Sequence, residues 1–183
     1  MTRYVAFLRG MNVGGHRITN AELCAAFEEI GLPDAATFRA SGNVVFDAPG
    51  GDPRVEIAAR IEQGLEQTLG YAVPTFLRDA AEMRAIAAQE PFTAKQVSAS
   101  KGKLQVILLA SRPKAKTADA VLAHSSDKDR LAIESSELYW LPSGGTLDSD
   151  LDLKTIAELI GGLSTMRTKG TVDLIAAKHC ADD

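Results

Sequence analysis

Two short polar segments in the first quarter of the chain contain residue types that bind anions. The first is a glycine-rich loop over residues 10–16, preceded by Arg9, and the second is Ser41-Gly42-Asn43. Glycine lets backbone amides approach a ligand, and an arginine can make a bidentate contact with a carboxylate or phosphate. We therefore predict a site for a small polar or anionic ligand. The predicted contacts are Arg9, Asn12, Gly14, Gly15, His16, Ser41, Gly42 and Asn43.

The same residues also fit a purely structural interpretation. The glycines could form a tight turn, Asn12 and Asn43 could bond to the backbone, and Arg9 could form a surface ion pair. The glycine spacing matches neither a P-loop, because no Gly-Lys-Ser/Thr follows, nor a dinucleotide-binding fingerprint. His16 is kept as a candidate acid–base or anion-contact group. Both interpretations stay open on the sequence alone.

Apolar periodicity predicts the elements that position these two segments. Residues 4–8 are continuously apolar, as in a buried strand, and end where the glycine-rich loop begins. Thr19 and Glu22 have the spacing of a capping box, so a helix follows the loop. Residues 37–39 and 44–46 flank the second segment and predict a hairpin. Phe7, Leu8, Phe27, Val45 and Ile61 are predicted to be buried.

The order of elements predicts a duplicated α+β architecture. The first half reads as strand, helix, strand, strand, helix, strand, helix. The second half repeats that order, with a hairpin around Ser135-Ser136 and a helix ended by Gly161-Gly162. Such a series most simply forms a ferredoxin-like plait, in which the third strand lies antiparallel between the first two. We predict two tandem ferredoxin-like plaits over residues 1–92 and 103–183, joined by a polar connector.

This topology brings the two polar segments together. In such a plait, the loop after the first strand and the turn between the second and third strands lie at the same end of the sheet. Arg9 and the glycine-rich loop should therefore face residues 41–43.

Charge and composition narrow the class of partner. The chain has 20 Lys and Arg against 24 Asp and Glu, so it has no strong positive field to attract a phosphate backbone. Aromatic residues make up 5%, which disfavours an RNA-binding plait with stacking aromatics. No apolar run is long enough for a membrane span or a signal peptide. Cys24 and Cys180 lie in apolar helical patterns, as buried thiols do, and a cytoplasmic location is expected.

Two segments resemble a known family. Leu8-Arg9-Gly10-Met11-Asn12-Val13-Gly14-Gly15 and Ser41-Gly42-Asn43-Val44-Val45-Phe46 are similar to the signature of the domain-of-unknown-function 1697 (DUF1697) family. The resemblance implies a bacterial, cytoplasmic protein of two ferredoxin-like plaits and carries no assigned activity. A later family segment keeps only Arg167 and Thr171 here and lacks the Asn and Trp between them. Those two residues are a candidate contribution from the second half.

Other candidate sites have stronger structural explanations. Asp148, Asp150 and Asp152 resemble the start of an EF-hand loop, but Leu153 replaces the required glycine, so an acidic helix start is favoured. The three histidines have no ligand-like spacing, and neither a metal nor a cofactor is expected. No GxSxG elbow occurs, and Cys24 lies on an apolar helix face, so no nucleophile is predicted.

Two functional classes follow from the sequence. The first is a protein, catalytic or not, that holds a small polar or anionic ligand at the Arg9/Asn12/Ser41/Asn43 end of the first plait. The second is a non-catalytic module that binds a protein, peptide or RNA through its sheets. The residues favour the ligand class, with nucleic acid disfavoured as a partner and no preference for any oligomeric state.

Overall fold

The computed structural model describes residues 1–11, 15, 17–39 and 42–181. The chain divides into two compact units, one formed by Met1–Arg84 with Ile175–Asp183 and the other by Ala85–Leu174. The described residues contain two four-stranded antiparallel sheets and seven α-helices, so the predicted α+β class is confirmed. Whether residues 1–92 and 103–183 form separate folding domains stays a prediction.

The elements follow the predicted alternation of strands and helices. In the first half they are β1 (Thr2–Leu8), α1 (Asn20–Glu29), β2 (Ala36–Thr37), β3 (Asn43–Ala48), α2 (Arg54–Leu69), β4 (Thr75–Asp79) and α3 (Ala80–Ala88). The second half contains α4 (Ala94–Ala99), β5 (Gln105–Leu109), α5 (Ala115–Leu122), β6 (Asp129–Glu134), β7 (Glu137–Pro142), α6 (Leu153–Ile160), β8 (Ser164–Thr168) and α7 (Lys169–His179).

The two sheets have corresponding strand orders. The first sheet runs β2-β3-β1-β4 and the second runs β6-β7-β5-β8, with every neighbouring pair antiparallel. In each sheet the third strand of the series therefore lies between the first two. This order places the end of β1 beside the β2–β3 turn, where the candidate site is predicted.

Each sheet packs one face against its own helices. In the first unit, the core joins Leu8 and Phe46 of the strands to Phe27 of α1 and Ile61 of α2. The rings of Phe27 and Phe46 lie 5.6 Å apart between centroids. All five residues predicted to be buried in the first unit have exposures of 4% or less, although Phe7 and Val45 lie outside this cluster. In the second unit, Trp140 and Ile107 pack with Val121 and Ile156.

Local end signals in the sequence explain where several helices begin and end. Thr19 and Glu22 form the predicted capping box at the start of α1. Gly70 and Gly161 adopt the left-handed conformation that ends α2 and α6. None of the helices in the described part of the chain combines the length and apolar character needed to cross a bilayer.

Two segments differ from the predicted elements. β2 is only two residues long, and Arg39 has a left-handed φ of 58°, so Phe38 and Arg39 belong to the turn. The connector contains the short helix α4, started by a capping box of Thr93 and Gln96. Beyond α4, the amide of Lys101 donates to the carbonyl of Ser143 at 3.0 Å. The second half of the connector is thus bonded to the segment that follows β7.

Candidate functional site

The candidate site begins where β1 ends. The amide of Leu8 donates to the carbonyl of Gly42 at 2.8 Å, and the amide of Arg9 donates to the carbonyl of Pro74 at 2.9 Å. The first bond ties the start of the glycine-rich connection to the β2–β3 turn, and the second ties it to the residue before β4. The backbone therefore places Arg9 one residue beyond the Leu8–Gly42 bond, with its own amide bonded to Pro74.

Gly42 makes the closest contact between the two segments. It has a φ of +68°, and a Cβ at this position would lie 3.1 Å from Cγ of Met11 and 3.2 Å from Cβ of Leu8. Both the left-handed backbone and the close packing favour glycine. The side chain of Met11 therefore lies against Gly42.

Three exposed arginines lie next to these two segments in the sequence. Arg9 and Arg17 flank the glycine-rich loop, and Arg39 precedes the β2–β3 turn. Among the residues that the structure describes, neither Arg9 nor Arg17 has a side-chain hydrogen bond or ion pair. The guanidinium of Arg39 lies 5.6 Å from the centroid of the Phe38 ring. The surface ion pair that would give Arg9 a structural role is not found within this part of the chain.

Asn43 serves the hairpin itself. Its side chain is fully buried, and its Nδ2 donates to the carbonyl of Phe38 at 3.1 Å. The amide of Phe38 donates in turn to the carbonyl of Asn43 at 2.9 Å. These two bonds close the turn where the β2–β3 ladder stops. Its burial and its bond to Phe38 favour support of the turn over direct ligand contact.

The N-terminus of α1 already has a protein carboxylate. Oε2 of Glu22 accepts from the amide of Thr19 at 2.7 Å, and the amide of Glu22 donates to Oγ1 of Thr19 at 3.2 Å. The hydrogen bond from the Thr19 backbone lowers the pKa of Glu22, so this carboxylate is ionised at neutral pH. Positive charge for a ligand would therefore come from arginines and loop amides more than from this helix end.

Four of the predicted contacts lie outside the described residues. They are Asn12, Gly14, His16 and Ser41. Gly15 is described, is exposed and has a φ of +87°.

The two candidate residues from the second half have structural partners within the second unit. Arg167 lies on the edge strand β8, where its Nη1 donates to Oγ1 of Thr165 and to the carbonyl of Met166, both at 2.8 Å. Burial lowers the pKa of Arg167 to about 10. Thr171 is buried, and its hydroxyl lies 2.9 Å from that of Thr168. Arg167 thus bonds within β8, and Thr171 bonds to the last residue of that strand from the first turn of α7.

Asp152, the last residue of the acidic run before α6, caps the N-terminus of that helix. Oδ1 of Asp152 accepts from the amide of Thr155 at 2.9 Å, and this bond lowers the pKa of Asp152. Outside residues 12–14, 16, 40–41 and 182–183, no three His, Cys, Asp or Glu residues are grouped as metal ligands.

Sequence reasoning did not assign Arg17, Arg39 or Phe38 to the site. The signal for the arginines was present, because a basic residue flanks the glycine-rich loop on each side and another precedes the turn. Phe38 could not be found this way, since its role depends on the bonds it exchanges with Asn43.

Comparison with known proteins identifies the family. The family described as "Protein of unknown function (DUF1697)" matches residues 1–139, which include all of the first-unit candidate residues. The chain belongs to the DUF1697 family. Arg167 and Thr171 lie beyond the matched region of this DUF1697 chain.

A solved structure shares the fold of this DUF1697 protein. A conserved bacterial protein from Streptococcus pneumoniae superposes with a TM-score of 0.70 and 18% sequence identity, over 97% of each chain. At this identity the similarity concerns the fold alone. No curated protein sequence matches the chain.

Proposed function

We propose that this DUF1697 protein binds a small polar or anionic ligand at the end of β1 in its first unit. Arg9 supplies the principal positive charge, and the amides of the glycine-rich loop supply further donors. The full contact set of the proposal is Arg9, Asn12, Gly14, Gly15, His16, Ser41 and Gly42, with Arg39 beside them and Asn43 supporting the turn.

The observation that carries this proposal is a comparison between the two units. In the second unit, the amide of Leu109 donates to the carbonyl of Ser136 at 2.9 Å, which corresponds to the Leu8–Gly42 bond. Yet residues 110–114, without a glycine, suffice to connect β5 to α5. The corresponding connection between β1 and α1 spans residues 9–19 and contains three glycines.

The longer connection is therefore not required by the fold. Most connections between elements in compact domains are about 4–6 residues long, and loops held on a rigid scaffold often carry function because they can present their backbone groups to a ligand. A guanidinium without a described partner next to such a loop fits an anionic group, since charge-assisted hydrogen bonds are stronger than neutral ones. The chain has a net charge of −4, so three exposed arginines next to these two segments in sequence run against its overall charge.

We also infer that the two units are ferredoxin-like plaits related by duplication. The equivalent strand orders support this, as do two matching arginines. Arg78 on β4 lies opposite Val5, and Arg167 on β8 lies opposite Val106. The Nη1 of each arginine donates to the carbonyl of the preceding residue at 2.8 Å. We propose a bacterial origin and a cytoplasmic location, which two free cysteines suit.

A thermal-shift screen of polar and anionic metabolites tests the proposed function. A ligand that binds only the native state stabilises it by RT ln(1 + [L]/Kd), so the melting temperature rises with the logarithm of the ligand concentration once this exceeds Kd. We expect anionic compounds to raise it and their neutral analogues to have less effect. A screen without hits, together with pull-downs that return one stoichiometric protein, would instead support a protein-binding module.

A further inference from the structure

The hairpin that carries Arg39 is weakly supported by its own strands. β2 and β3 pair at only two positions, Ala36 with Val45 and Thr37 with Val44. In the second unit, β6 and β7 pair at six positions, from Asp129 with Pro142 to Glu134 with Glu137. A two-residue strand supplies few ladder bonds, so contacts from outside the hairpin add to the Phe38–Asn43 bonds that hold the β2–β3 turn.

A residue near the end of the chain supplies such support. The ring of His179 meets the ring of Phe38 edge-on, with centroids 5.9 Å apart and planes at 86°. This is a favourable arrangement for two aromatic rings. The backbone of Phe38 exchanges two hydrogen bonds with Asn43, and the guanidinium of Arg39 lies over its ring.

The segment that carries His179 is itself anchored within the first unit. Nη1 of Arg3 lies 3.4 Å from the carbonyl oxygen of His179, and Nη1 of Arg84 donates to the carbonyl of Cys180 at 2.8 Å. Arg3 is in turn held by two bonds to the carboxylate of Asp47, at 2.9 and 2.6 Å. His179 is thus presented to Phe38 from a fixed backbone.

We infer that His179 is a positioning residue for the ligand site. It holds Phe38, and Phe38 sets the position of Arg39 and of the turn that faces Arg9. This inference rests on the proposed function. By this inference, the C-terminal segment over residues 175–181 controls the geometry of a ligand site formed near the start of the chain.

The inference is tested with inorganic phosphate as the probe and three variants of the full chain. His179→Ala removes the ring, His179→Phe keeps an aromatic edge without a titratable nitrogen, and Ala177→Ser changes an exposed residue of the same segment. Phosphate Kd is measured by NMR titration, and melting temperature is measured on the same samples.

We expect His179→Ala to weaken phosphate binding by about two- to tenfold, as the loss of one aromatic contact predicts. We expect His179→Phe to restore the affinity and Ala177→Ser to leave it unchanged. Equal Kd values for His179→Ala and Ala177→Ser would overturn the inference, as would a failure of His179→Phe to restore binding.

The Arg9→Ala variant separates this inference from the function on which it rests. Binding that depends on Arg9 but not on His179 would refute the positioning role alone. If the wild type does not bind phosphate, or binds it independently of Arg9, the proposed function and the positioning role both fail.

Discussion

Leu8 donates its backbone amide to the carbonyl of Gly42 over 2.8 Å, which joins the end of β1 to the β2–β3 turn. The bond joins two backbone groups, so it holds the turn beside the glycine-rich connection without using a side chain. The second unit makes the equivalent bond with a shorter connection that lacks glycine. The connection in the first unit is longer than the one with which the second unit joins the corresponding strand and helix. We therefore assign its additional residues to function and not to the fold.

Gly42→Ala should destabilise the protein more than a left-handed backbone alone explains. Gly31 also has a positive φ, of +83°, but open space surrounds the position of its Cβ. We expect Gly31→Ala to cost about 1–2 kcal/mol from backbone strain. Gly42→Ala should exceed that by about 1 kcal/mol or more, because its Cβ would also press on Met11 and Leu8. Urea unfolding of both variants measures the difference, and equal losses would show that the turn is not closely packed.

Gly102→Ala should be strongly destabilising for a different reason. A Cβ there would overlap the carbonyl oxygen of Gly144 and lie 2.6 Å from the carbonyl oxygen of Pro142. Backbone atoms cannot rotate away as a side chain can, so we expect a loss of at least about 2 kcal/mol. Gly144→Ala is the matched control, because its Cβ would meet nothing within 4 Å. A Gly102→Ala variant as stable as this control would refute the packing of the connector against the end of β7.

Phe27→Ala should cost about 3–5 kcal/mol, because the side chain is fully buried and packs against Phe46. Glu29→Ala, at an exposed position of the same helix, should change stability by less than about 0.5 kcal/mol. Chemical denaturation measures both. A loss below about 1 kcal/mol for Phe27→Ala would mean that α1 presents a different face to the sheet.

The bond between Arg3 and Asp47 should make stability depend on pH in the acid range. The hydrogen bonds from Arg3 hold the pKa of Asp47 below its ordinary value of 3.8. A lowered folded-state pKa contributes stability above 3.8 and loses it as the pH falls through that value and below. In a double-mutant cycle of Arg3→Ala and Asp47→Asn, we expect a coupling free energy of up to about 1 kcal/mol at pH 6, because the pair is partly exposed.

The same cycle at lower pH provides the check on this assignment. The coupling should shrink as the pH falls below 3.8 and through the lowered pKa of Asp47, because the carboxyl of the folded protein then becomes protonated. A coupling that stays constant from pH 6 to pH 3 would contradict the role of the ion pair.

The sequence predicted the parts of the fold that depend on local patterns. The apolar run of β1 and the capping box at Thr19 could be read directly, and connection rules placed the third strand between the first two. The end of β2 could not be predicted, because Phe38 has a strand-forming side chain. Its carbonyl accepts from the side chain of Asn43, and Arg39 after it has a left-handed φ that no strand continues through. The helix α4 has no apolar period to reveal it.

The candidate site was predictable in its residue types but not in their roles. Arg9 and the glycines indicate anion binding by their chemistry. The supporting role of Asn43 depends on burial, which its residue type does not reveal. The contact of His179 with Phe38 joins residues from opposite ends of the chain, and only the packed structure brings them together.

The central claim is tested most directly by Arg9→Ala, with Arg112→Ala as the matched control. Arg112 is an exposed arginine in the corresponding connection of the second unit. Inorganic phosphate affinity and melting temperature are measured on the same samples of both variants. Loss of one charge-assisted contact should weaken binding about tenfold or more in Arg9→Ala, with the melting temperature unchanged and Arg112→Ala like the wild type. Unchanged affinity with a lowered melting temperature in Arg9→Ala would contradict the account.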